Sequence, residues 1–349
     1  MTSWRKVEFF DRENIQEQRN SAETGWGGWP ALDVVASAVC ANLYLGGRDG
    51  KIHKLDRSLT CIVSWAAYTG TVLFVKISKL RNILCTVGLD TESAIPLLKI
   101  WDLEKLDSSQ APTLIQSHKL MHGAGGSPVT ALAIMQDLSH IAVGLDTVAI
   151  VLKGDLSKDQ QPRIKKVFES KSPVLNLGFR VSESSTMLFI ATSSQIVSCR
   201  TAGQTIPIVL DTEAGAWPSA ITPQDREQEM VIAKPEAVYF FEAGGRGPCF
   251  LIHGEKTIIS WFKGYLVIVS KQSTHNVFIS SQQSQPSTDM GTVLTIYDLK
   301  SKFIAYQNSF GIRRFDSSAG MAVGQPIKHV FSAWGELYII TDTKQVLHA

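Results

Sequence analysis

RNILCTVGLDTESAIPLLKIWDLEK, residues 81–105, contains two short apolar strands separated by a polar turn. The strands include β-branched and aromatic residues, which favour extended chain over helix. The polar turn between them indicates that the two strands pair in antiparallel fashion. The stretch therefore predicts part of a β-sheet, whose last strand ends in Trp101-Asp102-Leu103.

The ending of this strand recurs along the chain. Its copies are Gly154-Asp155-Leu156, Tyr297-Asp298-Leu299 and, more weakly, Leu55-Asp56-Arg57. Short apolar strands fall into groups of three around these copies, and a fourth strand follows most of the groups. The Trp-Asp dipeptide and repeats of roughly 40–50 residues with four strands each are typical of propeller blades.

Seven such groups fill the 349 residues. They predict blades at residues 31–67, 71–119, 128–169, 173–211, 217–253, 256–310 and 326–348, with a polar loop inserted into the sixth blade at 271–291. The seventh group lacks a fourth strand, whereas the apolar strand at residues 4–10 belongs to no group. Pairing between these two would remove the open sheet edges. We therefore expect an all-β fold, a WD40-like seven-bladed β-propeller that forms a single domain over residues 1–349 and is closed by residues 4–10.

The composition is that of a folded protein with a balanced charge. Hydrophobic residues make up 44% and charged residues 19%, and the formal net charge is +2. Disordered chains contain fewer apolar residues and nucleic-acid binders carry a basic excess, so we expect neither class. No apolar stretch has the length of a membrane-spanning helix, the first residues lack a secretion signal, and the five cysteines include no CxxC pair. These features favour a cytoplasmic protein.

Motifs for catalysis or cofactor binding are missing from the sequence. It contains no GxSxG, GxxxxGK[ST] or HExxH pattern, and we interpret the glycine-rich segments at 123–128 and 244–249 as turns. His118 and His122, and likewise Cys249 and His253, are too widely spaced on extended chain to act together. The sequence thus predicts no catalytic residue, no cofactor site and no metal site. The alternative is that the protein is an enzyme with its active site in the central channel of the propeller, because one fold can host many functions.

Two kinds of residue predict an interaction surface. Basic residues cluster on a predicted outer strand and in the connection between the sixth and seventh blades, at Arg163, Lys165, Lys166, Arg313 and Arg314. Two tryptophans in a predicted connection, Trp26 and Trp29, are candidates for exposed anchors. The basic residues would attract anionic lipid or an acidic partner. Alternatively, they keep the edge of an outer strand solvated and protect it from aggregation.

Several stretches carry a more specific signal than the strand pattern. They are WRKVEFFD (4–11), LDRSL (55–59), RNILCTVGLD (81–90), PLLKIWDLEK (96–105), GRGPCFLIHGEKTIISWFKGYLVIVS (245–270), LTIYDLKSKFIAY (294–306) and WGELYIIT (334–341). Together they resemble the N-terminal region of the vacuolar protein sorting-associated protein 11 family, the class C core subunits of the HOPS and CORVET tethering complexes. In that family an α-solenoid and a zinc-binding RING region follow the propeller. Neither is represented in this sequence, so zinc is expected only in that absent RING region.

The resemblance implies a non-enzymatic scaffold for protein interactions in vesicle docking, membrane fusion and intracellular protein transport. The expected partners are other class C tethering subunits, with SNAREs or Rab-linked subunits contacted indirectly, and no nucleic acid. The expected location is cytoplasmic and peripheral, on late endosome and vacuole or lysosome membranes, through the complex. A direct docking module for anionic membranes is the alternative function.

Overall fold

A computed structural model describes residues 34–121, 126–182, 185–203, 206–212, 221–223, 229–242, 244–271, 292–310, 327–341 and 346–348. Every regular element in these ranges is a β-strand, and each strand pairs in antiparallel fashion with the strand before or after it in its sheet. The chain divides into two compact units, residues 32–253 and a second unit that contains residues 254–349.

The described part of the unit at residues 32–253 contains five four-stranded sheets. The first is β1 (Val34–Val39), β2 (Leu43–Gly47), β3 (Lys51–Leu55) and β4 (Cys61–Ala66). The second is β5 (Val72–Ser78), β6 (Ile83–Asp90), β7 (Ser93–Leu106) and β8 (Pro112–Lys119). The third is β9 (Val129–Ile134), β10 (His140–Leu145), β11 (Val148–Lys153) and β12 (Arg163–Glu169). The fourth is β13 (Val174–Ser182), β14 (Ser185–Thr192), β15 (Ile196–Arg200) and β16 (Ile208–Asp211), and the fifth is β17 (Ile221–Pro223), β18 (Met230–Ala233), β19 (Ala237–Glu242) and β20 (Gly245–Leu251).

The described part of the second unit contains two sheets. One has four strands, β21 (Lys256–Phe262), β22 (Tyr265–Lys271), β23 (Thr292–Asp298) and β24 (Phe303–Phe310). The other has three, β25 (Ile327–Ala333), β26 (Glu336–Thr341) and β27 (Val346–His348). Except for Lys271, which ends β22, the loop predicted at 271–291 lies outside the described residues.

The all-β propeller architecture is confirmed, but the prediction of seven blades is wrong. Six sheets are complete four-stranded blades, whereas the last sheet stops at three strands. The strand expected to complete it, residues 4–10, lies outside the described residues, and within the described ranges no further strand pairs with β25 or β27. The prediction of seven blades rested on seven groups of three strands. A complete blade also needs a fourth strand, which the seventh group lacks in the sequence. A closed ring of seven blades is therefore not supported, and the division into one domain over residues 1–349 stays a prediction.

The core of the 32–253 unit is divided into layers between consecutive blades. One layer joins the first two blades through Tyr44, Trp65 and Trp101, and a second joins the next pair through Leu98 and Val143. Two further layers follow between the third and fourth and between the fourth and fifth blades. The first strands of consecutive blades lie side by side, so the second, third and fourth blades each pack against a neighbour on both faces. Burial of apolar surface between repeats stabilises such a stack.

The Asp residue of the repeated strand ending forms a turn. Asp102 accepts hydrogen bonds from the backbone N–H groups of Glu104 and Lys105, and Asp298 accepts them from Lys300 and Ser301. A short polar side chain that bonds its own backbone a few residues later is a common way to stop a strand. For Asp155 and Asp298 the repeated motif is therefore explained by turn chemistry at the end of the third strand, whereas Asp102 lies within β7, which continues to Leu106.

A hydrogen-bonded cluster ties the turn after β4 to the second blade. The indole Nε1 of Trp101 donates to Thr86 Oγ1 at 2.9 Å, and the Tyr68 hydroxyl lies 2.8 Å from the same oxygen. Tyr68 also donates to the carbonyl oxygen of Leu97 at 3.2 Å, and Lys99 Nζ lies 4.5 Å from the centre of the Tyr68 ring. Buried polar groups cost free energy unless they are paired, so this cluster fixes the position of Tyr68 against the second blade.

Two buried histidines and one half-buried histidine make the stability depend on pH. Burial lowers the pKa of His53, His118 and His140 below the ordinary value of 6.5. Above the unfolded-state pKa these histidines are neutral in both the folded and the unfolded chain, so they do not reduce stability. At a pH between the folded-state and the unfolded-state pKa, the unfolded chain binds more protons than the folded one. The free energy of unfolding therefore falls as the pH decreases through this range. We expect a lower thermal midpoint at pH 5.5 than at pH 7.5, with a smaller difference in each of His53→Gln, His118→Gln and His140→Gln. Equal midpoints at both pH values in the parent protein would contradict this expectation.

Candidate interaction surface

The predicted basic strand is the outer strand of the third blade. β12 pairs with β11 alone, so among the described strands its other edge has no neighbour. Arg163 lies opposite Lys153 on β11, and Lys165 lies opposite Val151. Arg163 and Lys166 are exposed, as is the intervening Ile164, with 53% of its surface accessible. Three of the predicted site residues are thus brought together on one open edge.

Lys165 connects this edge to the next blade. Its Nζ donates a hydrogen bond of 2.5 Å to the carbonyl oxygen of Gly203, in the turn that follows β15. Burial, and then the positive charge of Lys165, lower the pKa of Lys153. Burial raises the pKa of the Cys199 thiol to about 12, with Lys165 acting in the opposite direction. Lys165 is therefore held between two blades, and its charge acts on both of them.

Lys166 has a carboxylate partner. Its Nζ lies 2.6 Å from Glu169 Oε2, and both side chains are about half exposed. An exposed pair of this kind adds little to stability, but each charge reduces the field of the other. The net positive charge at the edge therefore comes mainly from Arg163 and Lys165.

One further basic residue, Arg200, extends this surface. Arg200 ends β15, three residues before Gly203, and is exposed. No sequence motif marks Arg200 as related to β12, because only the contact between β12 and β15 places it there.

The fourth blade has an exposed apolar outer strand. β16 and the residue two before it contribute Ile206, Ile208 and Val209, whose surfaces are 67%, 50% and 52% accessible. β16 pairs with β15 alone. The sequence predicts a fourth strand at residues 206–211, but its apolar composition does not show that these side chains are exposed. Exposed apolar residues on an open sheet edge are unusual in proteins that do not use the edge for binding.

The remaining predicted site residues are not described. Arg313, Arg314, Trp26 and Trp29 lie outside the described residues, so their roles stay predictions.

The first blade contains a serine, a histidine and an aspartate near one another. Ser64 Oγ lies 2.7 Å from His53 Nδ1, on the adjacent strand, and Cys61 Sγ lies 3.2 Å from Ser64 Oγ. Asp49 Oδ2 is 3.9 Å from His53 Nε2, which is longer than a hydrogen bond. The three side chains therefore do not form a continuous proton relay of the kind that activates a nucleophile.

The described residues contain no group of three or more His, Cys, Asp or Glu side chains placed to hold a metal ion. Across the described ranges, no helix has the length and apolar character needed to cross a membrane.

Comparisons with known proteins identify relatives along almost the whole chain. The family model described as PEP5/VPS11 N-terminal matches residues 4–349. The chain is 33% identical over 362 residues to the vacuolar protein sorting-associated protein 11 homolog of Homo sapiens, covering 98% of this chain and 36% of that protein. The homolog of Mus musculus has the same identity and coverage. The Dictyostelium discoideum homolog is 29% identical over 370 residues, with coverages of 97% and 36%. The chain thus spans only about a third of the length of these relatives.

Proposed function

The chain belongs to the PEP5/VPS11 N-terminal family, and from this membership we propose that it acts as the propeller region of a vacuolar protein sorting subunit. In this proposal it is a non-enzymatic scaffold in a HOPS-like or CORVET-like tethering complex, where it helps vesicles to dock before membrane fusion. The observation that carries the proposal is the family match over residues 4–349, together with relatives that are aligned across 98% of the chain.

The outer strands support a role in binding proteins. β12 and β16 present apolar and basic side chains on open edges of neighbouring blades. Apolar side chains and arginines are common at protein interfaces, where they provide buried area and directional hydrogen bonds. The proposed partners are other class C subunits, with SNAREs or Rab-linked subunits contacted indirectly. The complex would hold the propeller at the surface of late endosomes and vacuoles or lysosomes.

Co-purification tests this proposal. The chain, carrying an affinity tag and expressed in cells of its own source, is expected to purify together with other vacuolar protein sorting subunits. A tagged propeller of similar size from an unrelated family, expressed at the same level, provides the control. The proposal fails if mass spectrometry after mild cross-linking finds these subunits equally with the control and with the chain.

Direct docking to an anionic membrane is the second candidate. The observation in its favour is the exposed Arg163 beside the exposed Ile164 on β12. Basic residues near an anionic surface contribute about 1 kcal/mol each. In this case the chain would co-sediment with liposomes that contain anionic lipid and not with neutral ones, and Arg163→Glu would reduce the recovery. Equal recovery with both kinds of liposome would exclude this candidate.

A further inference from the structure

We propose that β16 of the fourth blade accepts an additional β-strand from a partner protein, contributed by an extended segment that carries apolar and acidic side chains. The inference rests on the proposed function, since it assumes that the propeller binds proteins. It adds the place of contact, the mode of binding and the chemistry of the partner.

The backbone of β16 provides the first argument. Ile208–Asp211 pairs on one side with β15, and no strand among the described residues pairs with its other side. Such an edge presents a row of N–H and C=O groups at fixed spacing. Another extended backbone satisfies that row, as in proteins that bind peptides by adding a strand to a sheet. A lipid surface offers no such backbone, and therefore the edge favours a protein partner.

The side chains of β16 provide the second argument. Ile206, Ile208 and Val209 each expose half or more of their surface, whereas Leu210 packs partly against the core between the fourth and fifth blades. β16 itself carries two of these side chains, the same number as β24, and Ile206, two residues before the strand, adds a third; the outer strands of the other described four-stranded sheets carry one each. Many native edge strands are protected by charged side chains. From residue 206 to residue 210, this segment has none. Covering these side chains would remove apolar surface from water at the position where the backbone pairs.

The charge around β16 indicates an acidic partner. Lys165 Nζ contacts the turn that leads toward β16, and Arg163 and Arg200 are exposed on the neighbouring strands. Two described carboxylates of this region have cationic partners. Asp211 lies 3.2 Å from Lys234, and Glu169 lies 2.6 Å from Lys166. Aspartate or glutamate side chains on an added strand would therefore meet positive charge, which increases both specificity and the association rate.

Site-specific cross-linking in the assembled complex tests the proposal. A photo-reactive amino acid replaces Ile208 and, in the matched control, Phe303, which is equally exposed on the outer strand β24. We expect position 208 to cross-link to one segment of a partner subunit in which apolar residues alternate with Asp or Glu, and position 303 not to cross-link to that segment. Cross-links from position 208 to lipid, to a basic segment or to nothing would overturn the proposal.

A synthetic peptide with the sequence of the cross-linked segment then tests the binding mode. Its binding should slow hydrogen exchange of the β16 amides. The double variant Ile208→Glu/Val209→Glu should weaken binding by at least about tenfold, and Arg163→Glu by several-fold. Leu251→Glu, an equally drastic change on the outer strand β20, should leave binding unchanged. Equal losses in all three variants, or unchanged exchange of β16, would overturn strand addition.

The two proposals can fail separately. If the chain co-purifies with sorting subunits but position 208 cross-links to none of them, strand addition at β16 is wrong and the scaffold function stands. If the chain does not co-purify with sorting subunits, the proposed function itself is wrong.

Discussion

Trp101→Ala is expected to lower the free energy of unfolding by about 4 kcal/mol, because it empties a large site between the first two blades. The side chain is only 7% exposed, and its ring centre lies 6.0 Å from that of Trp65 in an edge-to-face arrangement. Its indole also donates the hydrogen bond to Thr86. The substitution therefore removes apolar contact, an aromatic pair and a buried hydrogen bond at once. Urea titration, followed by fluorescence and circular dichroism, measures the loss.

Two milder variants separate these contributions. Trp101→Phe keeps most of the apolar contact but removes the donor to Thr86, and is expected to cost about 1–2 kcal/mol. Thr86→Val removes the oxygen that both Trp101 and Tyr68 contact, and should cost a similar amount. A loss below about 1 kcal/mol for Trp101→Ala would show that the layer between these blades does not depend on this side chain.

Lys234→Ala is expected to cost about 3 kcal/mol, the lower end of the range for buried pairs, because it removes one partner of a largely buried ion pair. Lys234 Nζ lies 3.2 Å from Asp211 Oδ2, and the two side chains are only 7% and 13% exposed. The ammonium group also lies 5.3 Å from the centre of the Tyr239 ring. Asp211 ends the fourth blade and Lys234 follows β18 of the fifth, so the pair links two blades. Without the lysine, the carboxylate loses its cationic partner in a site from which water is largely excluded.

An exposed ion pair is the control for this variant. Lys166→Ala removes the partner of Glu169, whose side chain is 57% exposed, and is expected to change stability by less than about 1 kcal/mol. The double variant Lys234→Met/Asp211→Leu should recover much of the loss, since apolar residues of similar size avoid burying an unpaired charge. If Lys234→Ala and Lys166→Ala have the same effect in denaturant titrations, the pair does not hold these blades together.

The turns show how far local chemistry can be predicted. The repeated Asp-containing ending marks the ends of two third strands, and the structure shows why: Asp155 and Asp298 accept hydrogen bonds from backbone N–H groups two residues later, as Asp102 also does inside β7. Hydrogen bonds from Lys158 and Ser157 also lower the pKa of Asp155 to about 2. These contacts span a few residues, so the sequence contains all the information that they need. The same holds for the strands themselves, which follow from short apolar segments between turns.

The blade number shows where local patterns fail. The seventh group of strands resembles the others in sequence, but within the described residues it has three strands, and six blades are complete there. The fourth strand of a blade is recognised by the strand with which it pairs. For the sheet of β25–β27, residues 4–10 were expected to be that strand because both lie near the ends of the chain. Pairing between strands that are far apart in sequence leaves no local pattern, so the sequence contains no independent sign that residues 4–10 pair with the last sheet.

The sequence by itself determined the all-β class, the four-strand repeat, the turn-forming aspartates and the family to which the chain belongs. The tertiary structure alone decided which outer strands are exposed and which charges are paired. Arg163 and Lys165 were found from a run of basic residues, whereas Ile208 and Val209 have the same apolar character as the core strands and differ only in what covers them. The burial of such apolar side chains and the pairing of Lys234 with Asp211 both depend on how consecutive blades pack. Periodicity sets the direction of a side chain relative to its own strand, but burial and charge compensation depend on the neighbouring blade.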